Sequence, residues 1–309
     1  MTQHLLIDTD PGVDDALAIL MARAAPGVRI TALTITAGNV GLEHTLANAL
    51  KLCEVADIHA PVFPGARLPL VMAHEGAQHV HGSDGFGDAG HAPASRRAEA
   101  EHAALAMLRL SREQPGALTF VMLGPLTNLA LALSLDPTLP QRVPRLVIMG
   151  GAVTGRGNVR IPVEFNIGFD PEAARIVFER WPQFELVDWE ATLRHGLDQS
   201  QCDQWFGSSH PVARFYDEIS RNNRRWSAER RGAAWACADA LAMAQVLDPA
   251  AAIETSERVV HVELGGQHTR GMTVVDWDGH GDAPANALIL LRYRQERFEA
   301  LIRQAVGAA

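Results

Sequence analysis

Four aspartates lie within the first fifteen residues, in the run Asp8-Thr9-Asp10-Pro11-Gly12-Val13-Asp14-Asp15. Carboxylates this close together repel one another unless a positive charge offsets them. The N-terminus of a helix stabilises an exposed acid by about 0.3–1 kcal/mol, and a bound cation stabilises it much more. Carboxylate oxygens are the ligands that Ca²⁺ and Mg²⁺ prefer. The spacing therefore predicts a site for a divalent cation.

Helix capping is the simplest alternative explanation of this acidic turn, because an aspartate before a helix commonly caps it. Two acids in the first helical turn and two more at the strand end exceed what capping requires. An EF-hand is excluded, because Val13 stands where the calcium loop needs Gly and Ile19 where it needs Glu. The motif of haloacid-dehalogenase phosphatases fails at Gly12, and no P-loop is present.

The elements around the turn alternate between short apolar runs and helical stretches. Strands are predicted at 5–7, 28–36, 117–123, 145–149, 258–263, 271–277 and 287–292, and helices at 16–22, 43–55, 126–135 and 295–305. This alternation predicts one Rossmann-like α/β domain over residues 1–309, with a mostly parallel sheet and helices on both faces. Ligands of such sheets bind beyond the carboxyl ends of the strands, where the acidic turn lies.

Two stretches interrupt this alternation. Residues 66–95 are rich in Gly, His and Ala, and residues 151–169 carry Gly155, Gly157 and Asn158. Long loops of this kind are usually functional lids or disordered segments. The segment 213–247 is predicted to be helical, although Arg and Trp are frequent in its first part.

Composition limits the classes of partner. The formal net charge of −9 argues against nucleic acid and anionic membranes as main partners. No apolar run approaches the roughly 18 residues that a membrane span needs. The three cysteines, Cys53, Cys202 and Cys237, form no CxxC pair, which favours a reducing compartment. The start of the chain does not resemble a secretory signal, so we expect a cytoplasmic protein.

Several further segments, together with the acidic turn, resemble nucleoside hydrolases of the inosine-uridine-preferring family. The similar segments are Asp8 to Asp15, Ala37-Gly38-Asn39-Val40, Val80-His81-Gly82 with Gly85 and Gly87, Leu123 to Asn128, Gly150-Gly151, Asn158, Glu164-Phe165-Asn166, Asp239 and Gly271 to Asp276. They occur in the order of the family and extend over nearly the whole chain, so that their joint occurrence is highly specific.

The resemblance implies a role for each of these residues. It implies a Ca²⁺ held by Asp10, Asp15, Asp239 and the backbone carbonyl of Leu123. It places Asp14, Asn39, Asn158, Glu164 and Asn166 around the ribose hydroxyls. Asp10 would be the general base, because cleavage of an N-ribosidic bond needs a base for the attacking water and carboxylates near a positively charged sugar. Asp8 is expected to be a structural anchor at the strand end. Because members of the family assemble as dimers or tetramers, the resemblance also implies a homodimer or homotetramer.

Each downstream residue also has a structural explanation when it is considered alone. Asn39 could be a turn residue at a helix entry, Asp239 a helix cap, and Asn128 a residue that stabilises a turn. Glu164 and Asn166 could be solvent-facing positions on either side of a core Phe165. Only the occurrence of all these residues in family order favours the site.

The family commonly places His or Trp immediately before the second metal-binding Asp, where it assists departure of the base. Here that residue is Ala238, which leaves this half of the mechanism open. His81 could donate a proton or a hydrogen bond to the base, or be a surface histidine. Trp226 could stack on the base and Arg230 could hydrogen-bond it. Core packing is favoured for Trp235 and a structural role for His195, and Cys237 is expected to be a buried, unreactive thiol.

The sequence therefore predicts a Ca²⁺-dependent ribohydrolase that releases base and ribose from a ribonucleoside. Two alternatives remain at this stage. One is hydrolysis of a related N-riboside or a modified nucleoside. The other is a non-catalytic nucleoside-binding protein, against which the retained Asp10 argues, because binding alone needs no base.

Overall fold

A computed structural model describes residues 2–232 and 234–308. The strands are β1 (Gln3–Thr9), β2 (Val28–Ile35), β3 (Val62–Pro64), β4 (Leu118–Met122), β5 (Arg145–Met149), β6 (Phe184–Val187), β7 (Leu197–Asp198), β8 (Ala234–Trp235), β9 (Ala252–Val262), β10 (Thr273–Asp276) and β11 (Ala287–Tyr293). The helices are α1 (Val13–Ala24), α2 (Leu42–Val55), α3 (Gln78–His81), α4 (Ala103–Glu113), α5 (Thr127–Leu135), α6 (Phe165–Phe169), α7 (Pro171–Arg180), α8 (Trp189–Arg194), α9 (Gln199–Phe206), α10 (Pro211–Arg231), α11 (Ala238–Leu247) and α12 (Gln295–Val306). Short 3₁₀ helices lie at Leu139–Arg142 and Pro249–Ala251.

A nine-stranded sheet organises the fold, in the order β10-β9-β11-β6-β5-β4-β1-β2-β3. The seven neighbouring strands β11, β6, β5, β4, β1, β2 and β3 pair in parallel. At one edge of the sheet, β9 pairs antiparallel with both β11 and β10. The expectation of a mostly parallel sheet in a single α/β domain is confirmed. The chain runs outward from β1 in both directions, because β2 lies on one side of it and β4 on the other. The carboxyl end of β1 is therefore the switch point where α/β sheets bind ligands.

Helices cover both faces of the sheet because successive strand residues point to opposite sides. Leu5 and Ile7 of β1 belong to an apolar cluster that includes α1, α2, α10, α11 and α12. Leu6 belongs to the cluster on the other face, with α4, α5 and α7. None of the helices in the described part of the chain is both long and apolar enough to cross a membrane.

The region 213–247 differs from the continuous helix that its sequence indicates. It forms two helices, α10 and α11, and the short strand β8 lies between them and pairs with β7. Trp235 is thus a strand residue, not a helical one. The break has a structural reason, since Gly232 at the end of α10 has a φ of +81°, a conformation that favours glycine and terminates a helix.

Asn128 connects three segments near the switch point. Its amide nitrogen donates to Asp8 Oδ2 at 2.9 Å and to the carbonyl of Ile35 at 3.2 Å, and its Oδ1 accepts from the N–H of Ala66 at 2.8 Å. Both Asn128 and Asp8 are fully buried. This geometry supports the structural role expected for Asp8, whose pKa burial raises to about 7 although the hydrogen bond from Asn128 opposes the rise.

We expect Asn128→Ala to lower the free energy of unfolding by about 2–3 kcal/mol, because buried partners lose their hydrogen bonds. Urea denaturation followed by circular dichroism measures this change. Ser134→Ala is the matched control on the same helix, since its hydroxyl donates only to the carbonyl of Ala130, and it should change the free energy by less than about 1 kcal/mol. Equal unfolding midpoints for the wild type and Asn128→Ala would refute the role of this side chain.

Candidate active site

A cavity lies at the carboxyl ends of the central strands. Asp10 follows β1, Asn39 follows β2 and Leu123 follows β4, and all three line this cavity. β1 lies between β2 and β4 in the sheet, so the topology brings together residues that are far apart in sequence. The acidic turn predicted from the sequence therefore forms the floor of a site.

Three carboxylates meet at this floor. Asp14 and Asp15 in the first turn of α1 and Asp239 in the first turn of α11 each place an oxygen within 4.8 Å of the others. Burial raises the pKa of Asp239 well above its usual value, and the charges of Asp14, Asp15 and Asp10 raise it further. Such a cluster is costly without a cation, because like charges in a buried site destabilise one another.

Asp15 is held by a dense set of donors. Its Oδ1 accepts from the Thr9 hydroxyl, and its Oδ2 accepts from the N–H of Gly12 at 2.9 Å and the amide of Asn39 at 3.1 Å. Burial raises its pKa to about 6, with a further contribution from Asp14, while the hydrogen bonds from Thr9 and Gly12 oppose the rise. This carboxylate is fixed in orientation beneath the cavity.

Asp10 occupies a space that two glycines leave open. A Cβ on Gly38 would lie 2.0 Å from Asp10 Oδ2, and one on Gly124 would lie 2.4 Å from Oδ1. The N–H of Asn39 donates to Asp10 Oδ2 at 2.7 Å. Burial raises the pKa of Asp10 well above its usual value, and the Asp15 carboxylate adds to the rise. Asp10 is thus a buried carboxylate held in one orientation at the carboxyl end of β1.

These residues fit a hard divalent cation. The clustered donors are carboxylate oxygens, which suit Ca²⁺ and Mg²⁺ better than softer metals. The three carboxylates that lie nearest one another include Asp14. The metal ligands expected from the sequence include Asp10 instead of Asp14. Asp10 lies beside this group and contributes to the raised pKa of Asp239. The carbonyl of Leu123 is reached by the amide of Asn166 at 2.7 Å.

The segment from Asn158 to Asn166 forms one wall. Glu164 caps α6: its Oε1 accepts from the N–H of Asn166 at 2.9 Å and its Oε2 from the N–H of Gly151 at 2.9 Å. Burial raises the pKa of Glu164 to about 7 against the effect of these bonds. Asn158 Oδ1 accepts from the N–H of Phe165 at 2.9 Å. Glu164 and Asn166 are buried, which contradicts a solvent-facing role for them.

A second wall is built by α10 and the loop that contains α3, and it includes His81, the histidine predicted from the sequence. His81 is buried, and its Nδ1 accepts a hydrogen bond from the N–H of Val13 at 3.1 Å. Burial lowers the pKa of His81 to about 4 although Asp15 opposes the change. The ring is thus neutral, and Nε2 carries the proton because Nδ1 is an acceptor.

Aromatic rings complete this wall. Trp226 and His79 meet edge to face with ring centroids 6.0 Å apart, and both line the cavity. The indole nitrogen of Trp235 donates to Asn223 Oδ1 at 2.7 Å, and the amide of Asn223 donates to the carbonyl of Val80 at 3.1 Å. Asn223 therefore joins α10 to the loop above the cavity.

The cavity brings together most of the site residues predicted from the sequence. Those that line it are Asp10, Asp14, Asn39, His81, Leu123, Asn158, Glu164, Asn166, Trp226 and Asp239. Asp15 lies in the carboxylate cluster beneath them. Arg230 is exposed, lines a neighbouring cavity, and places its guanidinium carbon 4.8 Å from the centroid of the Trp226 ring.

Twelve of the residues that line this cavity were not singled out as site residues from the sequence. Five of these twelve carry side-chain N–H or O–H groups: His79, Trp189, Asn223, Ser227 and Trp235. Trp235 is also buried in the core beside Phe206 and Tyr216, as expected. The four-residue spacing of Asn223 and Ser227 on α10 is the one signal that could have placed both on the same helical face.

The other side chains with predicted structural roles are found in the interior. His195 is buried, with Nδ1 at 2.7 Å from the carbonyl of Ala191 and Nε2 accepting from the N–H of Tyr293. Cys237 is buried, and this burial raises the pKa of its thiol well above the usual value. Ala238 lines the cavity immediately before Asp239, so this position offers no proton.

Comparison with known proteins agrees with this geometry. The family described as inosine-uridine preferring nucleoside hydrolase matches residues 5–300. The pyrimidine-specific ribonucleoside hydrolase RihB of Escherichia coli (strain K12) is 31% identical over 305 residues, which cover 98% of this chain and 97% of RihB.

Solved structures give the same result. An inosine-guanosine nucleoside hydrolase superposes with a TM-score of 0.93 at 31% identity and full coverage of both chains. A purine-preferring ribonucleoside hydrolase from Gardnerella vaginalis gives 0.92 at 27% identity, over 99% of this chain and 98% of the other. The chain belongs to the inosine-uridine-preferring nucleoside hydrolase family and is a ribonucleoside hydrolase.

Proposed function

We propose that this enzyme hydrolyses the N-glycosidic bond of ribonucleosides in a Ca²⁺-dependent reaction for which Asp10 is the general base. The observation that carries the proposal is the position of the Asp10 carboxylate, buried between Gly38 and Gly124 and directly beside the acidic cluster. A protein that only bound nucleosides would not need a proton acceptor beside the metal site.

Asp10, Asp15, Asp239 and the carbonyl of Leu123 would hold the cation, and Asp14, the third member of the carboxylate cluster, is close enough to take part. When bound, Ca²⁺ supplies Lewis-acid chemistry, which lowers the pKa of water and orients vicinal hydroxyl groups. The choice of Ca²⁺ follows from the family resemblance and from the carboxylate donor set.

The bonds that form and break during hydrolysis require a proton acceptor, and this role is assigned to Asp10. Water attacks C1′ of the ribose, a C–O bond forms, and the C1′–N bond breaks with its electron pair passing to the base. Asp10 accepts the proton that the water loses. The sugar carries positive charge in the transition state, as in glycoside hydrolysis, and the carboxylates of Asp14 and Glu164 lie in the same cavity to stabilise it.

Ribose binding is assigned to Asp14, Asn39, Asn158, Glu164 and Asn166, which line the cavity around the carboxylate floor. The side-chain N–H groups of Asn39 donate hydrogen bonds to the carbonyl of Asp10 and to the carboxylate of Asp15. Its amide oxygen therefore remains as the group that can accept a hydrogen bond from a ribose hydroxyl. The rigid attachment of these side chains favours a preorganised site.

Departure of the base is assigned to His81, with Trp226 as a surface for the base. Nδ1 of His81 is occupied by the N–H of Val13, so Nε2–H is the donor that can hydrogen-bond the base as negative charge develops on it. Trp226 lies on the same wall. Arg230 contacts the Trp226 ring from the neighbouring cavity, so we assign it an indirect effect on the base through that ring.

His81→Ala is expected to lower kcat/KM for natural ribonucleosides by about 10- to 100-fold, the effect of a hydrogen bond to a charged group. For 4-nitrophenyl riboside the loss should be less than about threefold, because this leaving group departs as a stable anion without help. Steady-state kinetics with both substrates measure the contrast. Equal losses would show that His81 supports the structure of the site and not the departure of the base.

A reducing-sugar assay tests the proposed function. Metal-stripped protein is incubated with inosine, uridine, cytidine, adenosine and guanosine, with and without added Ca²⁺. We expect ribose release from at least one nucleoside, and only with the cation. If none is cleaved, the same assay with nicotinamide riboside tests the alternative of a related N-riboside. Ribose release in the stripped protein that Ca²⁺ does not increase would contradict the metal dependence.

A further inference from the structure

Ser227 is an unusual residue in the wall formed by α10. Its side chain is 3% exposed and lines the cavity. Its hydroxyl has no hydrogen-bond partner in the described part of the chain. Among the described residues that line the cavity, it is the one whose buried polar atom lacks a partner.

A partner within the helix would be easy to find. A helical serine commonly donates to the carbonyl four residues earlier, as Ser134 does to Ala130 at 2.8 Å. Ser227 makes no such bond to Asn223. A buried hydroxyl without a partner is unfavourable, so a ligand that supplied a hydrogen bond would gain binding energy at this point.

Several neighbouring polar groups on this wall are already engaged. Asn223 accepts from the indole of Trp235 and donates to the carbonyl of Val80. His81 Nδ1 accepts from the N–H of Val13. The Ser227 hydroxyl, which can both donate and accept, is therefore unpaired on α10, and rotation about χ1 can turn it from its buried position towards a bound molecule.

The position of Ser227 indicates which part of a nucleoside it meets. The carboxylates of Asp10, Asp14 and Asp239 form the floor, where the ribose and cation are assigned. Ser227 follows Trp226 on the wall where α10 faces the loop carrying His79. A nucleoside with its ribose at the floor directs its base to this wall.

We infer that Ser227 is a specificity-determining residue that hydrogen-bonds an exocyclic polar group of the nucleobase. This inference rests on the proposed ribonucleoside substrate. It places the recognised group on the edge of the base that is remote from the glycosidic bond, at position 6 of a purine or position 4 of a pyrimidine. The hydroxyl accommodates a carbonyl as acceptor or an amino group as donor.

The test combines two enzymes with matched pairs of substrates. Inosine is compared with purine riboside, which lacks the 6-oxygen, and uridine with 2-pyrimidinone riboside, which lacks the 4-oxygen. Adenosine and cytidine extend the comparison to amino groups. We expect Ser227→Ala to lower kcat/KM about 3- to 10-fold for at least one substrate with the exocyclic group, and less than about twofold for its analogue without it. The comparison cancels the intrinsic difference between the leaving groups.

Stability and a control variant complete the test. Ser227→Ala should leave the Tm unchanged or raise it, because the change removes an unpaired buried hydroxyl. Ser134→Ala, remote from the cavity, should show no difference between the members of any pair. Equal losses for both members of every pair, or no loss at all, would overturn the inference while the proposed hydrolysis stands. If the wild type cleaves no nucleoside, dissociation constants for the same pairs, measured by calorimetry, decide the role of Ser227 independently.

Discussion

Asp10→Asn is expected to reduce kcat for ribonucleoside hydrolysis by about 10²- to 10⁴-fold, the usual contribution of a general base. The substitution is isosteric, so the new side chain fits the space that Gly38 and Gly124 leave open for Asp10. The asparagine oxygen can still accept the hydrogen bond from the N–H of Asn39. The fold should therefore survive, and circular dichroism with steady-state kinetics measures both effects.

Asp8→Asn is the matched control for this experiment. Asp8 is also a buried aspartate with a raised pKa at the end of β1, but its contact is Asn128 and it does not line the cavity. This variant should keep kcat within about threefold of the wild type, because its side chain takes no part in binding or proton transfer. Full turnover in Asp10→Asn, or an equal loss in both variants, would show that the general-base assignment is wrong.

Asp239→Asn is expected to abolish the stabilisation that Ca²⁺ gives to the folded protein. A ligand at about 100 times its Kd stabilises the native state by roughly 2.7 kcal/mol, which corresponds to a Tm rise of about 5 °C for a protein of this size. Asp239 loses its charge in the variant while its size is kept. Differential scanning calorimetry of metal-stripped protein, with and without Ca²⁺, measures the rise.

Asp170→Asn provides a control for a general effect of removing a buried carboxylate. Asp170 is buried and caps α7, where it accepts hydrogen bonds from the N–H of Ala173 and the hydroxyl of Thr127. The Tm of the metal-free Asp170→Asn variant is expected to be lower than that of the wild type. Added Ca²⁺ should still raise the Tm of this variant by about 5 °C. An undiminished rise in Asp239→Asn would exclude this residue as a ligand.

The acidic floor and the parallel sheet could be predicted because their signals are local. The strand before Asp8 and the helix after Asp15 are contiguous with the aspartates, so one short segment indicates element type and chemistry together. Asn39 and Leu123 follow other strands, and the rule that ligands bind at the carboxyl ends of strands brings them to the same edge. The grouping of Asn39 and Leu123 with the aspartates therefore follows from the topology of the sheet.

The wall formed by α10 could not be predicted to the same depth. Helical periodicity continues through Arg and Trp residues up to 231, but the sequence does not tell which face of α10 turns towards the sheet. Trp226 faces the cavity whereas Arg230, one turn later, lines the neighbouring one. The pairings of Asn223 with Trp235 and Val80 join segments distant in sequence, and no local pattern indicates them.

The substitution at Ala238 acquires a physical meaning from these contacts. Ala238 leaves the position before Asp239 without a proton donor, while His81, which also lines the cavity, carries a proton on Nε2. Assistance to the departing base is thus assigned to the loop above the cavity instead of to α11. The sequence identified the missing donor, and the hydrogen bond from Val13 explains why His81 is a neutral donor.

A calcium titration tests the central claim most directly. Metal-stripped enzyme is titrated with Ca²⁺ while bound calcium and the rate of ribose release from inosine and uridine are recorded together. Activity on at least one of the two substrates should be absent at the start, rise in proportion to bound Ca²⁺, and reach its maximum at one ion per chain. Full activity in the stripped enzyme, or saturation of the metal site without any change in rate, would contradict the claim.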